Sequence, residues 1–390
     1  MPHAGIIESF FYIFSGAAVL ATVALYTRQP MLVAYIGLGC LLGPFGAGLV
    51  DDPTLLSEIA EFGIIFLLFL VGLDLQPSKL RNMVGESLLT ALGTTAVFFA
   101  LGFGVMTLFG YTPIEAAVTG IAVSFSSTIL GIKLLPTTAL HHRHVGEIVV
   151  SLLLIQDLLA ILAILLITGL GVDMNALLTS VASIFLGLPL VGLIAVGGVR
   201  FGLLYLIRTF DAFHEYIFLV AIGWCLAIAN LAAAFGLSLE IGAFIAGVSL
   251  ATSPISQYIA ESLRPLRDFF LVLFFFSVGA ALNIELIPQV WLPALLIASL
   301  LIAIKPVVFA GLLRMQNEES KVAWEVGYRL GQASEFSLLL SYIAVSNSLL
   351  GAEAALVVEF STVLTLVVSS YFVIFRYPSP IAPDPRLRRD

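Results

Sequence analysis

Gln156 and Asp157 stand near the middle of a run from Glu147 to Leu170 that is otherwise almost entirely apolar. About 20 such residues cross the roughly 30 Å hydrocarbon core of a bilayer as a helix. A carboxylate at that depth is costly, so by default it is kept for a task such as holding a cation, a proton, or each in turn. The Gln156 amide adds a carbonyl oxygen without a second charge. A proton and a monovalent cation competing for one buried acid already constitute an exchange mechanism.

Two further polar interruptions fall in apolar runs, at Ser124-Phe125-Ser126-Ser127-Thr128 and at Gly331-Gln332-Ala333-Ser334-Glu335. They superpose when the chain is slid by 207 residues. The same offset lays Phe62, Phe69, Val71, Gly72 and Leu75 over identical residues at Phe269, Phe276, Val278, Gly279 and Leu282. Non-helical backbone at membrane depth is tolerated only where it is buried in protein or lines a cavity. Matched breaks in an inverted repeat are the pattern of a secondary transporter. The alternative is that Ser, Thr and Gly simply let helices pack closely. Asp157 falls on Leu364 under the offset, so the acid belongs to one copy alone.

Lys305, followed by Pro306, lies deep in another run and needs a partner. Asp157 or the end of a broken helix would serve, and the lysine either carries a proton or steadies the assembly. Arg329 and Glu335 are six residues apart, hence not on one helical face; each is expected to serve the crossing region. Glu240 and Glu359 are embedded without an assigned role. His141-His142-Arg143-His144 reads as a solvated loop whose histidines titrate in a useful range.

Positioning these groups requires a membrane. Sixty per cent of the 390 residues are hydrophobic and 11% are charged, against about 25% charged in soluble domains. Apolar runs fall at 5–26, 31–49, 55–73, 83–109, 113–135, 147–170, 174–207, 214–235, 237–251, 266–283, 286–313, 322–347 and 350–375. They are too long for barrel strands, so the expected fold is all-α and polytopic, with about 13 transmembrane helices. Seven spans separate the two copies of the repeat, which therefore run in opposite directions. Alternate connections hold Arg28, Lys79 with Arg81, Arg143, Arg208, Arg264 with Arg267, and Arg314 with Lys321, before Arg376, Arg386, Arg388 and Arg389 at the end. This places the N-terminus outside and the C-terminus in the cytoplasm of an inner membrane. The formal charge of −8 argues against nucleic acid. Cys40 and Cys225 lie in apolar runs as packing residues, not as a disulfide or metal site. The first run has an acidic front edge, unlike a cleavable signal. No His-Glu-x-x-His is present, and no enzyme is expected.

Taken together, several segments resemble the monovalent cation:proton antiporter-2 family, in particular its Kef-type potassium/proton branch. These are Leu154-Ile155-Gln156-Asp157-Leu158, Gly236 to Gly247, Phe274-Phe275-Phe276-Ser277-Val278-Gly279, Gly43-Pro44-Phe45-Gly46 and Gly331-Gln332-Ala333-Ser334-Glu335-Phe336. The resemblance covers nearly the whole chain. It implies a sodium/proton-antiporter-like fold of inverted repeats with crossed broken helices, assembled as a homodimer. A dimerisation domain (5–75 and 214–283) and a core ion-transport domain (83–170 and 286–376) would be joined by a linker helix (174–207), with 377–390 as a cytoplasmic tail. It implies an elevator exchanging potassium, or alternatively sodium, for protons one for one. Asp157, Gln156, Ser127 and Thr128 would hold the K+ or Na+ and the proton, and Lys305, Glu335 and Gln332 would supply supporting charge and polarity. No cofactor is implied beyond the transported ion.

The chain departs from the family's Gln-Gly-Gly-Glu-Phe at Gln332-Ala333-Ser334-Glu335-Phe336, and Glu240, Glu359 and Arg329 are unusual for it. No Gly-rich nucleotide-binding fingerprint follows Tyr377, so a cytoplasmic regulatory domain or subunit would lie outside this chain, and its residues leave the gating ligand open. A ligand-gated potassium efflux channel is the rival from another class.

Overall fold

The computed structural model describes residues 6–50, 52–74, 77–135, 144–170, 187–210, 214–235, 237–251, 253 and 255–379. His141, His142 and Arg143 of the histidine cluster lie outside the described residues, as do 171–186 and 380–390. Within the described residues the architecture is all-helical. Helices run as α1 (Ile6–Tyr26), α2 (Met31–Leu42), α3 (Pro53–Asp74), α4 (Pro77–Leu108), α5 (Pro113–Ala122), α6 (Thr128–Lys133) and α7 (His144–Leu170). Then comes α8, an apolar span over Gly187–Ile207 with a π-helical turn at Val199–Leu203 and a last turn at Leu204–Thr209. The chain continues through α9 (His214–Ala234), α10 (Leu239–Ala251), α11 (Ser256–Ala281), α12 (Ile287–Met315), α13 (Ser320–Arg329), α14 (Glu335–Ser346) and α15 (Ala352–Arg376). Among the described residues each predicted apolar run holds one helix except 113–135 and 322–347, which hold two each. Among the described residues seven helical stretches are long and apolar enough to cross a membrane.

The 207-residue offset organises the whole chain. Added to the bounds of α1–α7 it reproduces those of α9–α15 within a few residues, leaving α8 between the copies. The breaks coincide to the residue: Ala122 and Thr128 map onto Arg329 and Glu335.

The chain divides into two compact units, one built on Asp51–Arg81 and Thr168–Ser277, the other on Gly5–Val50, Asn82–Ile167 and Val278–Asp390. In the first, glycine sets how closely helices approach. A Cβ on Gly72 would lie 2.5 Å from the Phe244 carbonyl oxygen of α10, and one on Gly247 would meet the Phe69 carbonyl of α3. One on Gly242 would lie 2.5 Å from Ala229 Cα of α9. The Gly-rich segment is therefore what lets α10 pack backbone to backbone between α3 and α9. In the second unit the repeat-equivalent contact joins Gly279 to the Ile36 carbonyl of α2, and every buried ionisable group of the crossing lies within this unit.

Substituting Gly247→Ala should therefore cost roughly 1–3 kcal/mol or more through overpacking. Gly223→Ala, where the Cβ would meet nothing within 4 Å, should leave stability unchanged or slightly raised. Thermal unfolding of the two variants in detergent measures the contrast.

Candidate functional site

The site is built where two helices stop. α5 opens on a capping box, with Thr112 and Glu115 satisfying each other's backbone groups, and ends at Ala122. After five non-helical residues α6 starts under Ser127, whose Oγ accepts the Leu130 N–H at 3.1 Å as a helix cap. α13 ends at Arg329, and α14 restarts under a second cap, Ser334, with Ser337 returning a bond to the Ser334 N–H. Each break strands backbone groups at a depth without water, so side chains must satisfy them.

Lys305, 0% exposed in α12, meets the largest part of that need. Its Nζ donates to the Phe125 carbonyl at 2.7 Å and the Gln332 carbonyl at 2.9 Å, with the Ser126 hydroxyl at 3.4 Å. Phe125 and Gln332 are equivalent under the 207-residue offset. So are Lys305 and Phe98, and the ammonium lies 5.1 Å from the centroid of the Phe98 ring. The broken-helix ends are thus the lysine's described partners, and their freed carbonyls accept from its Nζ.

Ser126 ties the two breaks together, its hydroxyl donating to the Leu330 carbonyl at 2.9 Å and its N–H to Gln156 Oε1 at 3.1 Å. Gln156 Nε2, also buried, has no hydrogen-bond partner among the described residues. Asp157, 6% exposed, receives the Thr128 hydroxyl, which lies 3.0 and 3.1 Å from its two carboxylate oxygens. The structure therefore joins Asp157 to Thr128 at the first residue of α6 and joins Gln156 to the break itself, while the Ser127 oxygen serves its own helix. Glu335 is buried in the first turn of α14, where a carboxylate complements the helix dipole.

Gln332 is fixed at both ends of its amide: Nε2 donates to the Arg329 carbonyl and Oε1 accepts from Ser369, each at 3.0 Å. Thr365 Oγ1 accepts the Ala333 N–H at 2.9 Å. Thr365, Ser369 and Phe98 escaped selection from sequence, and Ser126 stood only within the Ser124–Thr128 interruption. Thr365 and Ser369 carried a signal, two polar residues four apart in an apolar run. Arg329, expected to serve the crossing region, pairs through its guanidinium with Glu325 at 2.8 Å and donates to the Leu134 and Pro378 carbonyls at 2.9 and 2.8 Å. Glu359 accepts from Ser341 at 3.3 Å, and His144 lies 3.0 Å from Glu318.

Replacing Lys305 with methionine would leave the Phe125 and Gln332 carbonyls without this donor, at about 1–3 kcal/mol each. The Lys305→Met variant should melt well below the parent in detergent, and Lys305→Gln, which keeps an amide donor, should lie between them.

Comparisons with known proteins agree with this architecture. K(+) efflux antiporter 4 of Arabidopsis thaliana is 32% identical over 355 residues, 87% of this chain and 58% of the relative. K(+) efflux antiporter 5 of the same plant is 29% identical over 367 residues, 90% of this chain and 63% of the relative. The chain thus spans a little under two thirds of the length of these curated relatives. The solved sodium proton antiporter MjNhaP1 from Methanocaldococcus jannaschii shares the fold, with a TM-score of 0.66 at 16% identity over 94% of this chain and 96% of that one. The family model for the transmembrane sodium/hydrogen exchanger matches residues 7–375, and the chain belongs to that family.

Proposed function

We propose that this chain exchanges a monovalent cation, potassium in preference to sodium, for a proton at Asp157. The observation that carries the reading is the buried carboxylate of Asp157, set beside an interrupted helix, with the Thr128 hydroxyl within reach of both its oxygens. A hydroxyl can donate to a carboxylate and can also accept from a carboxylic acid. The Thr128 contact thus suits both states of the acid.

One acid that holds either one proton or one cation trades charge for charge, which makes the exchange electroneutral. Lys305, with three acceptors around its ammonium, serves in this scheme as a fixed counter-charge. Gln156 positions the break through Ser126 and offers its remaining lone pair to the ion, with Ser127 and Thr128 as neighbouring oxygens. The core moves as an elevator within a homodimer, in a bacterial inner membrane with the C-terminus in the cytoplasm. Potassium is favoured because the sequence relatives are potassium efflux antiporters by name. Sodium is the second reading, favoured by the description of the matching family.

Purified protein in liposomes with an imposed proton gradient tests the scheme across lithium, sodium, potassium and rubidium. Potassium-driven proton movement is expected; a response to sodium alone overturns the ion choice, and potassium flux indifferent to the proton gradient identifies a channel. Asp157→Asn should abolish exchange in a protein that still folds, and retained exchange removes Asp157 from its role.

Competition for one acid also fixes the pH dependence. On the acidic limb, each unit fall in pH should raise the half-saturating potassium concentration about tenfold, since one proton displaces one ion. Thr128→Val should raise that concentration about tenfold at constant pH, the scale of one hydrogen bond to a charged group. Flux assays over a pH series read both.

A further inference from the structure

One face of α8 carries three adjacent pairs four residues apart, Gly192 with Leu193, Val196 with Gly197, and Arg200 with Phe201. They line a groove of about 570 Å³. Leu193 is 75% exposed and Phe201 82%, and a Cβ on Gly192 or Gly197 would meet nothing within 4 Å. Such a face suits hydrocarbon, except for Arg200. Its side chain is exposed and makes no hydrogen bond or ion pair among the described residues. A cation within an apolar span is expensive unless it finds an anion.

Helix α8 supplies no anion, for residues 187–209 contain no Asp or Glu. A second copy would not supply one through the same face. Two copies sharing a membrane orientation and meeting isologously here would bring Arg200 to Arg200 at equal depth. What the groove lacks is a negative group joined to an apolar chain. Arg200 is seven residues, about 10 Å, from Ile207 at the end of the span. Its long side chain can therefore reach the headgroup layer while its stem stays in the groove.

We propose that this face of α8 binds a phospholipid of net negative headgroup. The Arg200 guanidinium takes the phosphate, and an acyl chain lies along Leu193, Val196 and Phe201 over the two glycines. A planar guanidinium matches phosphate oxygens in pairs, and the glycines let the chain lie against the helix backbone. A zwitterionic headgroup brings its own ammonium beside Arg200 and is disfavoured.

Native mass spectrometry of the full chain in mild detergent, with phosphatidylglycerol or phosphatidylcholine added back, tests the site without reference to transport. The parent should retain phosphatidylglycerol in preference to phosphatidylcholine. Arg200→Gln should weaken that retention about tenfold. Gly197→Leu, which fills the groove and keeps the charge, should weaken it as well and provides the reading if the charge variant misfolds. Equal retention by parent and both variants, or no preference between the lipids, overturns the proposal. So does loss of self-association in the variants with lipid retention unchanged, which would identify a second copy as the occupant.

Discussion

One lysine side chain, Lys305, joins the two breaks of the crossing. α5 and α13 both stop within the protein, and the carbonyls beyond their C-terminal ends carry partial negative charge with no continuing helix to accept it. Lys305 bonds to one carbonyl from each break, at Phe125 and Gln332. Because those two residues are repeat-equivalent, the lysine answers the same backbone defect twice. Its own repeat partner, Phe98, presents a ring face to the same charge. Without a donor here, two buried carbonyls would lose this partner at a depth where an unpaired polar group is costly.

The frame is close to symmetric and the chemistry placed on it is not. Asp157 and Gln156 exist in the first copy only, opposite Leu364 and Val363, while the lysine exists in the second only. A duplicated scaffold thereby carries unlike acids at its two breaks, Asp157 against Thr128 at the first and Glu335 in the opening turn of α14 at the second. Several polar groups of the two breaks are already engaged, Ser126 with Leu330 and Gln156, Gln332 with Arg329 and Ser369, Thr365 with Ala333, while Gln156 Nε2 has no partner among the described residues. A site whose neighbours have settled partners can change the state of one carboxylate without rearranging the backbone that carries it.

Much of this was legible in the residues themselves. The offset of 207 and the polar interruptions at Ser124–Thr128 and Gly331–Glu335 located both breaks, because apolar periodicity fails wherever backbone must be fed by side chains. The depth of Asp157 and Lys305 was readable for the same reason. What the sequence left open was which polar group satisfies which. Lys305 had two candidate partners of equal chemical merit, and only the fold brings Phe125 and Gln332 within one side chain's reach. Ser127 and Thr128 are adjacent and alike in type, yet one caps a helix and the other meets the acid, a difference set by the turn between them. The partners of Arg329 were likewise closed to sequence, because the Leu134 and Pro378 carbonyls that it meets lie far from it along the chain.

That arginine has a mechanical corollary. Its guanidinium is a rigid planar fork, and two of its prongs grip the main chain at Leu134, just past α6, and at Pro378, just past α15. Tyr377 lies against it, 5.8 Å from ring centroid to guanidinium carbon. A displacement of the polypeptide at Pro378 cannot leave the fork undisturbed, and the fork is rooted in the last residue before the second break. A pull on the chain just past α15 would therefore bear, through one side chain, on the residue that ends α13.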